Sequence, residues 1–275
     1  MSVINTNVSA LNAQSALTVN SRNMGVVMQQ LSTGSRINSA KDDAAGLAIG
    51  QNMTSQIRGL DQAVRNANDG ISMLQTADGA LVETSNMLQR MRELSVQSAN
   101  GTLSDVQRGY LNTEFTNLST QIGKIATETV WNGKAILAGT AGDASSTAFT
   151  FQTGQSSTTT IAATITAMTV AALGIPAGIA TKTTASDALT LLDTALDSVN
   201  NQRATIGAVT NRLTYAADNM ANISTNISAS RSRIMDTDYA QATSQLAKTQ
   251  IIQQAATAML AQANQQPQSV LALLK

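Results

Sequence analysis

Hydrophobic residues recur every three or four positions between residues 41 and 101, which is the spacing of one face of an α-helix. No proline interrupts the segment, and Asn100-Gly101 supplies a C-terminal stop signal. The pattern predicts a helix of roughly 80 Å, which needs a second long helix to cover its apolar face. The stripe consists of Met53, Ile57, Leu60, Val64, Ala67, Ile71, Leu74, Ala77, Leu81, Leu88, Met91 and Leu94.

A second long helix is predicted from residue 186, where Ser186-Asp187 provides a cap for its first turn. Its apolar positions repeat every seven residues, which is typical of a supercoiled helical seam, although an ordinary bundle helix shares this geometry. We expect this helix and the helix at 41–101 to pack as partners. The predicted rod seam consists of Leu192, Val199, Ile206, Leu213, Met220, Ile227 and Ile234.

Shorter elements are predicted between the two long helices. Ser104 or Asp105 provides the cap of a third helix, and Trp131-Asn132-Gly133 ends it in a turn because Asn-Gly adopts positive φ readily. The segments AFTFQTG and TTTIAATIT are rich in β-branched and aromatic residues and flank Gly154-Gln155-Ser156-Ser157. This pattern predicts a β-hairpin in a nearly uncharged stretch that is too short for a domain of ordinary size.

The two ends of the chain carry weaker apolar stripes among Asn, Ser, Thr and Gln. Residues 1–40 are interpreted either as a fraying terminus or as a segment that folds only against a partner, and the stripe favours the second. Asp236-Thr237-Asp238 is interpreted as a cap and kink rather than a metal site. The ends are predicted to pack with each other and with neighbouring subunits through Val8, Leu11, Leu17, Leu31, Leu246, Met259, Leu260, Val270 and Leu273.

The overall composition excludes several classes of function. The chain has 17 basic and 17 acidic residues, which argues against nucleic-acid binding by phosphate neutralisation. It has no cysteine and no histidine, which removes disulfides, thiol catalysis, classical zinc sites and histidine acid–base chemistry. No apolar run is long enough to span a membrane, and the N-terminus lacks the pattern of a cleavable signal. We therefore predict no enzymatic activity, no cofactor and no bound metal.

Several motifs, in order along the chain, resemble those of the bacterial flagellins. Near the N-terminus the resemblance is carried by INTNVSALNAQ, QQLSTGSRINSAKDDAAGLAIG and LQRMRELSVQSANGT. In the second half it is carried by FQTG, NNQRATIGAVTNRL, SRIMDTDYA and AMLAQANQQPQSVLALLK. Because the match covers both ends and all the helical regions, the chain is similar to a short flagellin whose variable region has shrunk to the hairpin and its loop.

The resemblance implies a mainly α fold of long antiparallel helical rods, with paired terminal helices and a small β-hairpin region. Residues 1–40 plus 236–275 would form the terminal domain that lines the inner tube of a filament. Residues 41–140 plus 186–235 would form the rod domain, and residues 141–185 the reduced variable region. The terminal apolar residues would then be buried by assembly, because the ordering of each residue costs about 1–2 kcal/mol that weak stripes do not offset alone.

The resemblance also implies a life cycle and a set of partners. The chain would be exported unfolded by the flagellar type III route, fold its ends on polymerisation and form an extracellular homopolymer. The implied partners are the hook–filament junction protein, the filament cap, an export chaperone at the C-terminus and a host Toll-like receptor. Three alternatives stay open at this point: the flagellin-like junction protein, a secreted effector or enzyme that uses the same route, and an intracellular coiled-coil scaffold.

Two surface features follow from the resemblance. The segment LQRMRELSVQ is similar to the part of flagellin that an innate immune receptor recognises, and axial packing between subunits explains the same residues without a host. We expect packing to be primary and recognition to follow from it. The residues concerned are Gln89, Arg90, Glu93, Leu94, Gln97 and Glu114. Exposed flagellin serines are often O-glycosylated, and the corresponding candidates are Ser145, Ser146, Ser156 and Ser157.

Overall fold

The computed structural model describes residues 6–140, 142, 147–156 and 158–272, with side chains up to residue 265. It confirms the mainly α fold with a small antiparallel strand pair. The helices are α1 (Val8–Thr33), α2 (Ala44–Ala99), α3 (Asp105–Glu128), α4 (Lys182–Met235) and α5 (Tyr239–Ala272). The strands are β1 (Val130–Trp131), β2 (Lys134–Ala135), β3 (Ala148–Gln152) and β4 (Thr160–Thr164).

The chain divides into two compact units, to which α2 and α4 both contribute residues. The terminal unit contains Met1–Ser55 and Asn226–Lys275, and the central unit contains Gln56–Thr225. The terminal unit therefore combines α1 and α5 with the beginning of α2 and the end of α4. The central unit combines α3, the hairpins and the remainder of the two long helices. The predicted division at residues 40, 140, 185 and 236 stays a prediction.

The central unit is built on antiparallel packing of α2 against α3 and α4. Arg92 in α2 pairs with Asp193 near the beginning of α4, whereas Asp78, earlier in α2, pairs with Arg203 further along α4. This reversed order shows that the two helices run in opposite directions. The largest side chains that are fully buried all belong to this unit: Leu74, Leu81, Leu88, Met91, Leu94, Phe115, Ile122, Ile136, Leu137, Ile165, Ile179 and Leu192.

The N-terminus of α4 lies one turn earlier than the sequence predicts. The predicted cap at Ser186-Asp187 is wrong, because the helix already begins at Lys182. The Thr181 hydroxyl accepts a hydrogen bond from the Thr184 amide at 3.2 Å, which satisfies a free N–H of the first turn. Ala185 and Ala188 are completely buried, so small residues extend the buried face upstream of the first leucine.

The cap and the turns of the central unit lie where the sequence predicts them, but α3 already ends at Glu128 and the turn predicted to end it joins β1 to β2 instead. Ser104 caps α3 in a capping box with Gln107, and Asn132 and Gly133 adopt φ of 49° and 79° in the turn between β1 and β2. Strands β3 and β4 form the predicted antiparallel hairpin, in which Phe149 is paired with Ala163. The end of this hairpin is held against α4 by the Gln202 side-chain amide. Its nitrogen donates a hydrogen bond to the Thr164 carbonyl, and its oxygen accepts hydrogen bonds from the amide and the hydroxyl of Thr166.

The terminal unit is built on an antiparallel pair formed by α1 and α5. Asn20 donates to the Thr249 carbonyl at 2.8 Å, and Asn7 donates to the Ala263 carbonyl at 2.7 Å. Buried and half-buried positions on both helices are spaced alternately by three and four residues, which is a heptad seam. This terminal seam consists of Ala10, Ala13, Leu17, Asn20, Met24, Val27 and Leu31 on α1, and Ala242, Leu246, Thr249, Gln253, Ala256, Leu260 and Ala263 on α5.

The segment after α1 forms hydrogen bonds with the end of α4 in the terminal unit. Ser35 forms an isolated antiparallel bridge with Asp236, and the Arg36 guanidinium donates to the Ile234 carbonyl at 2.7 Å. A Cβ on Gly50 would lie 2.5 Å from the sulfur of Met235, so only glycine lets α2 and α4 approach as closely as they do here.

Candidate functional site

The outer surface of the terminal helix pair carries several large apolar side chains that are exposed. Its seam combines five alanines with Leu17, Leu31, Leu246 and Leu260, most of them only half-buried. Exposed apolar side chains of this kind mark contact sites when they are grouped into patches. The exposed set consists of Val8, Leu11, Val19, Val26 and Met28 on α1, and Ile251, Ile252 and Met259 on α5.

The seam between α1 and α5 carries polar side chains at its most buried positions. Asn20 is 6% exposed and Thr249 is 2% exposed, so polar side chains take the two most central positions. The Asn20 amide is satisfied by the Thr249 carbonyl, which avoids the cost of an unpaired buried group but adds only about 1 kcal/mol. The pair is consequently held in register without a large apolar core.

The residues predicted for terminal assembly divide into two groups in the structure. Leu17, Leu31, Leu246 and Leu260 are half-buried within the terminal seam. Val8, Leu11 and Met259 lie outside the seam and are 53%, 56% and 65% exposed. Val270 and Leu273 lie outside the residues whose side chains are described. The structure thus leaves three of the predicted positions free for contact with another molecule.

The predicted rod seam on α4 continues across both units. Its first five residues are at most 4% exposed and belong to the central unit, where they form the core: Leu192, Val199, Ile206, Leu213 and Met220. Ile227 and Ile234 belong to the terminal unit and are half-buried there. Large apolar side chains therefore occupy consecutive heptad positions in the central unit and are almost fully buried there, whereas the leucines of the terminal seam are only half-buried.

The predicted recognition residues lie on one face of α2 and α3, with one exception. Gln89, Arg90, Glu93 and Gln97 on α2 are exposed, as is Glu114 on α3. Leu94 is only 1% exposed, because it belongs to the apolar stripe of α2 and packs into the core. A partner that docks on this face therefore reaches five of the six predicted side chains in this structure.

Arg90 organises the charges on this face. Its Nε donates to Glu114 at 2.9 Å and its Nη1 donates to Glu93 at 2.9 Å. The hydrogen bond to Glu114, followed by that to Glu93, raises the pKa of the Arg90 guanidinium above its usual value. The cation therefore stays charged and points along the surface between two carboxylates that belong to different helices.

The predicted glycosylation residues fall mostly outside the described part of the chain. Ser145, Ser146 and Ser157 are among the residues that are not described. Ser156 is exposed in the loop between β3 and β4, where its hydroxyl forms a 3.0 Å hydrogen bond with Thr158. Its side chain is therefore accessible to an enzyme from the solvent.

One aspartate of each acidic pair caps a helix. Asp43 accepts a hydrogen bond from the Gly46 amide at 2.9 Å in the first turn of α2. Asp42 instead accepts from the Ser39 hydroxyl and from the amides of Ser39 and Asn38 in the preceding loop, and the Ser39 hydroxyl is the main cause of its lowered pKa. Asp238 accepts from the amides of Ala240 and Gln241 at the start of α5. In the described part of the chain no cluster of acidic residues has the arrangement of a metal site, and no helix is long and apolar enough to cross a membrane.

Two groups of hydrogen bonds in the central unit were not predicted from the sequence. The buried Arg108 guanidinium donates to the carbonyls of Ser98, Asn100 and Leu103 and so closes the turn between α2 and α3. The peptide of Ile179 donates to the Asn112 amide oxygen and accepts from the Ser98 hydroxyl, both at 2.7 Å. Arginine and asparagine are usually exposed, so only the burial observed in the structure identifies these roles.

Comparisons with known proteins agree on one family. The model of the bacterial flagellin N-terminal helical region matches residues 4–142, and that of the C-terminal helical region matches residues 189–274. A flagellin of Halalkalibacterium halodurans is 42% identical over 276 residues, which cover 99% of this chain and 100% of that protein. A flagellin of Bacillus subtilis is 41% identical over 304 residues, which cover 99% of each chain.

A solved structure agrees with these relatives. The crystal structure of Bacillus cereus flagellin matches with a TM-score of 0.51 and 34% sequence identity. The match covers 57% of this chain and 88% of that chain. Sequence and fold therefore point to the same group of proteins.

Proposed function

Because the chain belongs to the bacterial flagellin family, we propose that its terminal unit is completed by neighbouring copies when the filament assembles. The chain is a structural subunit of the flagellar filament for motility and not an enzyme. The observation that carries the proposal is the apolar outer surface of α1 and α5, on which Leu11 and Met259 are more than half exposed. Burial of these side chains between subunits would offset the ordering cost that the polar seam does not offset.

The proposal includes export of the chain before its ends fold. A helix pair with polar side chains at its most buried seam positions opens at lower cost than one with an apolar seam, and the chain has no cysteine that would cross-link it. Both properties suit passage through a narrow channel. A C-terminal export chaperone would cover Ile251, Ile252 and Met259 before export, and the junction protein and the filament cap would meet the same terminal unit afterwards. We retain residues 141–185 as the reduced variable region of the secreted protein.

Seeded polymerisation tests the assembly surface. Purified monomer would be mixed with short filaments in precipitating salt, pelleted and examined by electron microscopy. We expect Leu11→Asp to reduce polymer by at least about tenfold, because a charge would be buried without a partner between subunits. The monomer should keep its helix content, since Leu11 lies outside the seam.

The matched control is Leu11→Met, which keeps an apolar side chain of similar volume and should polymerise like the wild type. Protease digestion before and after assembly adds a second measurement, in which the ends at 1–40 and 235–275 should become protected only in the filament. Normal filaments from Leu11→Asp would refute the proposed burial of this surface.

A second candidate function is recognition by a host Toll-like receptor, which the exposed charged face around Arg90 favours. Five predicted residues are accessible there, and Arg90 is held between Glu93 and Glu114. The adjacent Arg92 offers a matched control, because it is similarly exposed but pairs with Asp193 instead. In a receptor reporter assay, Arg90→Glu should lose at least about tenfold in potency, whereas Arg92→Glu should stay near the wild type. Equal loss from both variants would reject this face as the recognition surface.

A further inference from the structure

We propose that Met28 and Met259 are modification sites that peroxide-class oxidants convert to methionine sulfoxide in the free subunit, and that this modification blocks assembly. The inference rests on the proposed function, because it requires the outer surface of α1 and α5 to be buried between copies. Met28 is 54% exposed and Met259 is 65% exposed, so each thioether is accessible to a small oxidant from the solvent.

The other described methionines separate into protected and partly protected positions. Met73, Met91, Met168 and Met220 are at most 4% exposed and lie in the central unit. A third group is half-buried and consists of Met24, Met53, Met87 and Met235. The chain therefore contains an internal series in which accessibility, and hence the rate of oxidation, should be highest at Met28 and Met259.

The positions of the two methionines on their helices place them beside the terminal seam. Met28 comes four residues after the seam residue Met24 and three before Leu31, so it lies at the edge of the seam. Met259 comes three residues after the seam residue Ala256, on the side opposite to that taken by Leu260. Both side chains thus flank the terminal seam and are more than half exposed.

The chemical step is balanced with hydrogen peroxide as the only co-reactant. A lone pair of the thioether sulfur attacks one peroxide oxygen, the O–O bond breaks, a sulfur–oxygen bond forms and water leaves after proton transfer. The sulfur is oxidised by two electrons and the peroxide is reduced by two. A flexible apolar side chain becomes a polar one with a strong acceptor oxygen.

The consequence for assembly follows from the change in polarity. An apolar contact between subunits offers no donor to a sulfoxide oxygen, so an oxidised side chain would be buried unsatisfied or would hold the subunits apart. In the filament the same sulfurs would be covered and would react slowly. Oxidation would therefore act on subunits before incorporation and spare those already assembled.

The experiment compares three forms of the full-length chain: the wild type, Met28→Leu/Met259→Leu and the control Met53→Leu/Met87→Leu. Monomers are treated with hydrogen peroxide, the peroxide is removed with catalase, and seeded polymerisation is measured by sedimentation. Peptide mass spectrometry gives the oxidised fraction at every methionine in monomers and in filaments. Leucine keeps the apolar volume but has no oxidisable sulfur, so the effect of peroxide on each substituted chain is measured against its own untreated form.

We expect peroxide to raise the critical concentration of the wild type and of the control by about tenfold, and to leave Met28→Leu/Met259→Leu within about twofold of its untreated value. Met28 and Met259 should be the first positions oxidised in monomers and should be protected in filaments. The inference is overturned if other methionines react first, if the oxidised wild type polymerises normally, or if Met28→Leu/Met259→Leu loses assembly as the wild type does. Failure of the untreated wild type to polymerise would instead overturn the proposed function, and this inference with it.

Discussion

The central and terminal units use the same heptad spacing with opposite chemistry. In the central unit the α4 positions hold Leu192, Val199, Ile206, Leu213 and Met220, all nearly inaccessible to solvent. In the terminal unit the seam mixes alanines with half-buried leucines, Asn20 and Thr249 take its most buried places, and Leu11, Ile251 and other large apolar side chains are exposed. The central seam buries large apolar side chains within the subunit, whereas the terminal seam fixes a register and leaves large apolar side chains exposed.

The largest effect is expected when a charge is placed in the central seam. Leu213 is completely buried, so Leu213→Asp should destabilise the central unit by at least about 4 kcal/mol and abolish polymerisation. Thermal unfolding followed by circular dichroism measures the change. Leu191→Asp is the matched control on the same helix, because Leu191 is 42% exposed and should lower the melting temperature only slightly. Similar losses from both variants would show that the heptad face is not what stabilises this unit.

An intermediate effect on stability is expected when a buried polar residue of the terminal seam is replaced by an apolar one, as in the central seam. Asn20→Leu replaces the buried amide on α1 with an apolar side chain and should stabilise the α1–α5 pair by about 1–2 kcal/mol. The ends of the monomer should then resist protease longer than those of the wild type. Asn12→Leu provides the control, because Asn12 is exposed on the same helix and its replacement adds no burial. If Asn20→Leu ends are digested as fast as those of Asn12→Leu, the polar seam does not limit the order of the pair.

The smallest effect is expected at the ion pair between Arg92 and Asp193, which joins the two long helices at the surface. The hydrogen bond from Arg92 lowers the pKa of Asp193 below its usual value of 3.8. Because the carboxylate is favoured in the folded state, its contribution to stability is present above about pH 4 and is lost as the pH falls through the lowered pKa. Asp193→Asn should remove this acid-dependent part while changing the neutral-pH melting temperature little, and high salt should mask the difference. A large loss at pH 7 that salt leaves unchanged would contradict this assignment.

The sequence predicted the apolar seams well because periodicity reports burial directly. The central heptads, the Asn132-Gly133 turn and the Ser104 cap all occur where the pattern places them. The start of α4 was predicted wrongly because Thr181 caps a helix as readily as Ser186 does. In the structure Thr181 is the cap, and Ala185 is buried in the first turns of the helix. Capping propensity alone does not decide which of two nearby candidate residues begins a helix.

Leu94 shows how two lines of sequence reasoning diverge. The apolar stripe of α2 places Leu94 on the buried face, whereas the family resemblance assigned it to a recognition surface. The structure buries it to 1% exposure, in agreement with the periodicity. Conversely, the sequence pattern did not predict the burial of Arg108. Its three carbonyl partners come together only after α2 and α3 have folded against each other.

The most direct test of the contrast between the two seams is amide hydrogen exchange on monomer and filament under the same solvent conditions. We predict that amides of α4 from Leu192 to Met220 exchange slowly in both states, whereas those of α1 and α5 exchange rapidly in the monomer and become protected in the filament. Protection of α1 and α5 in the free monomer to the level of the central seam would contradict the account, because it would show that the terminal pair is stable without its neighbours.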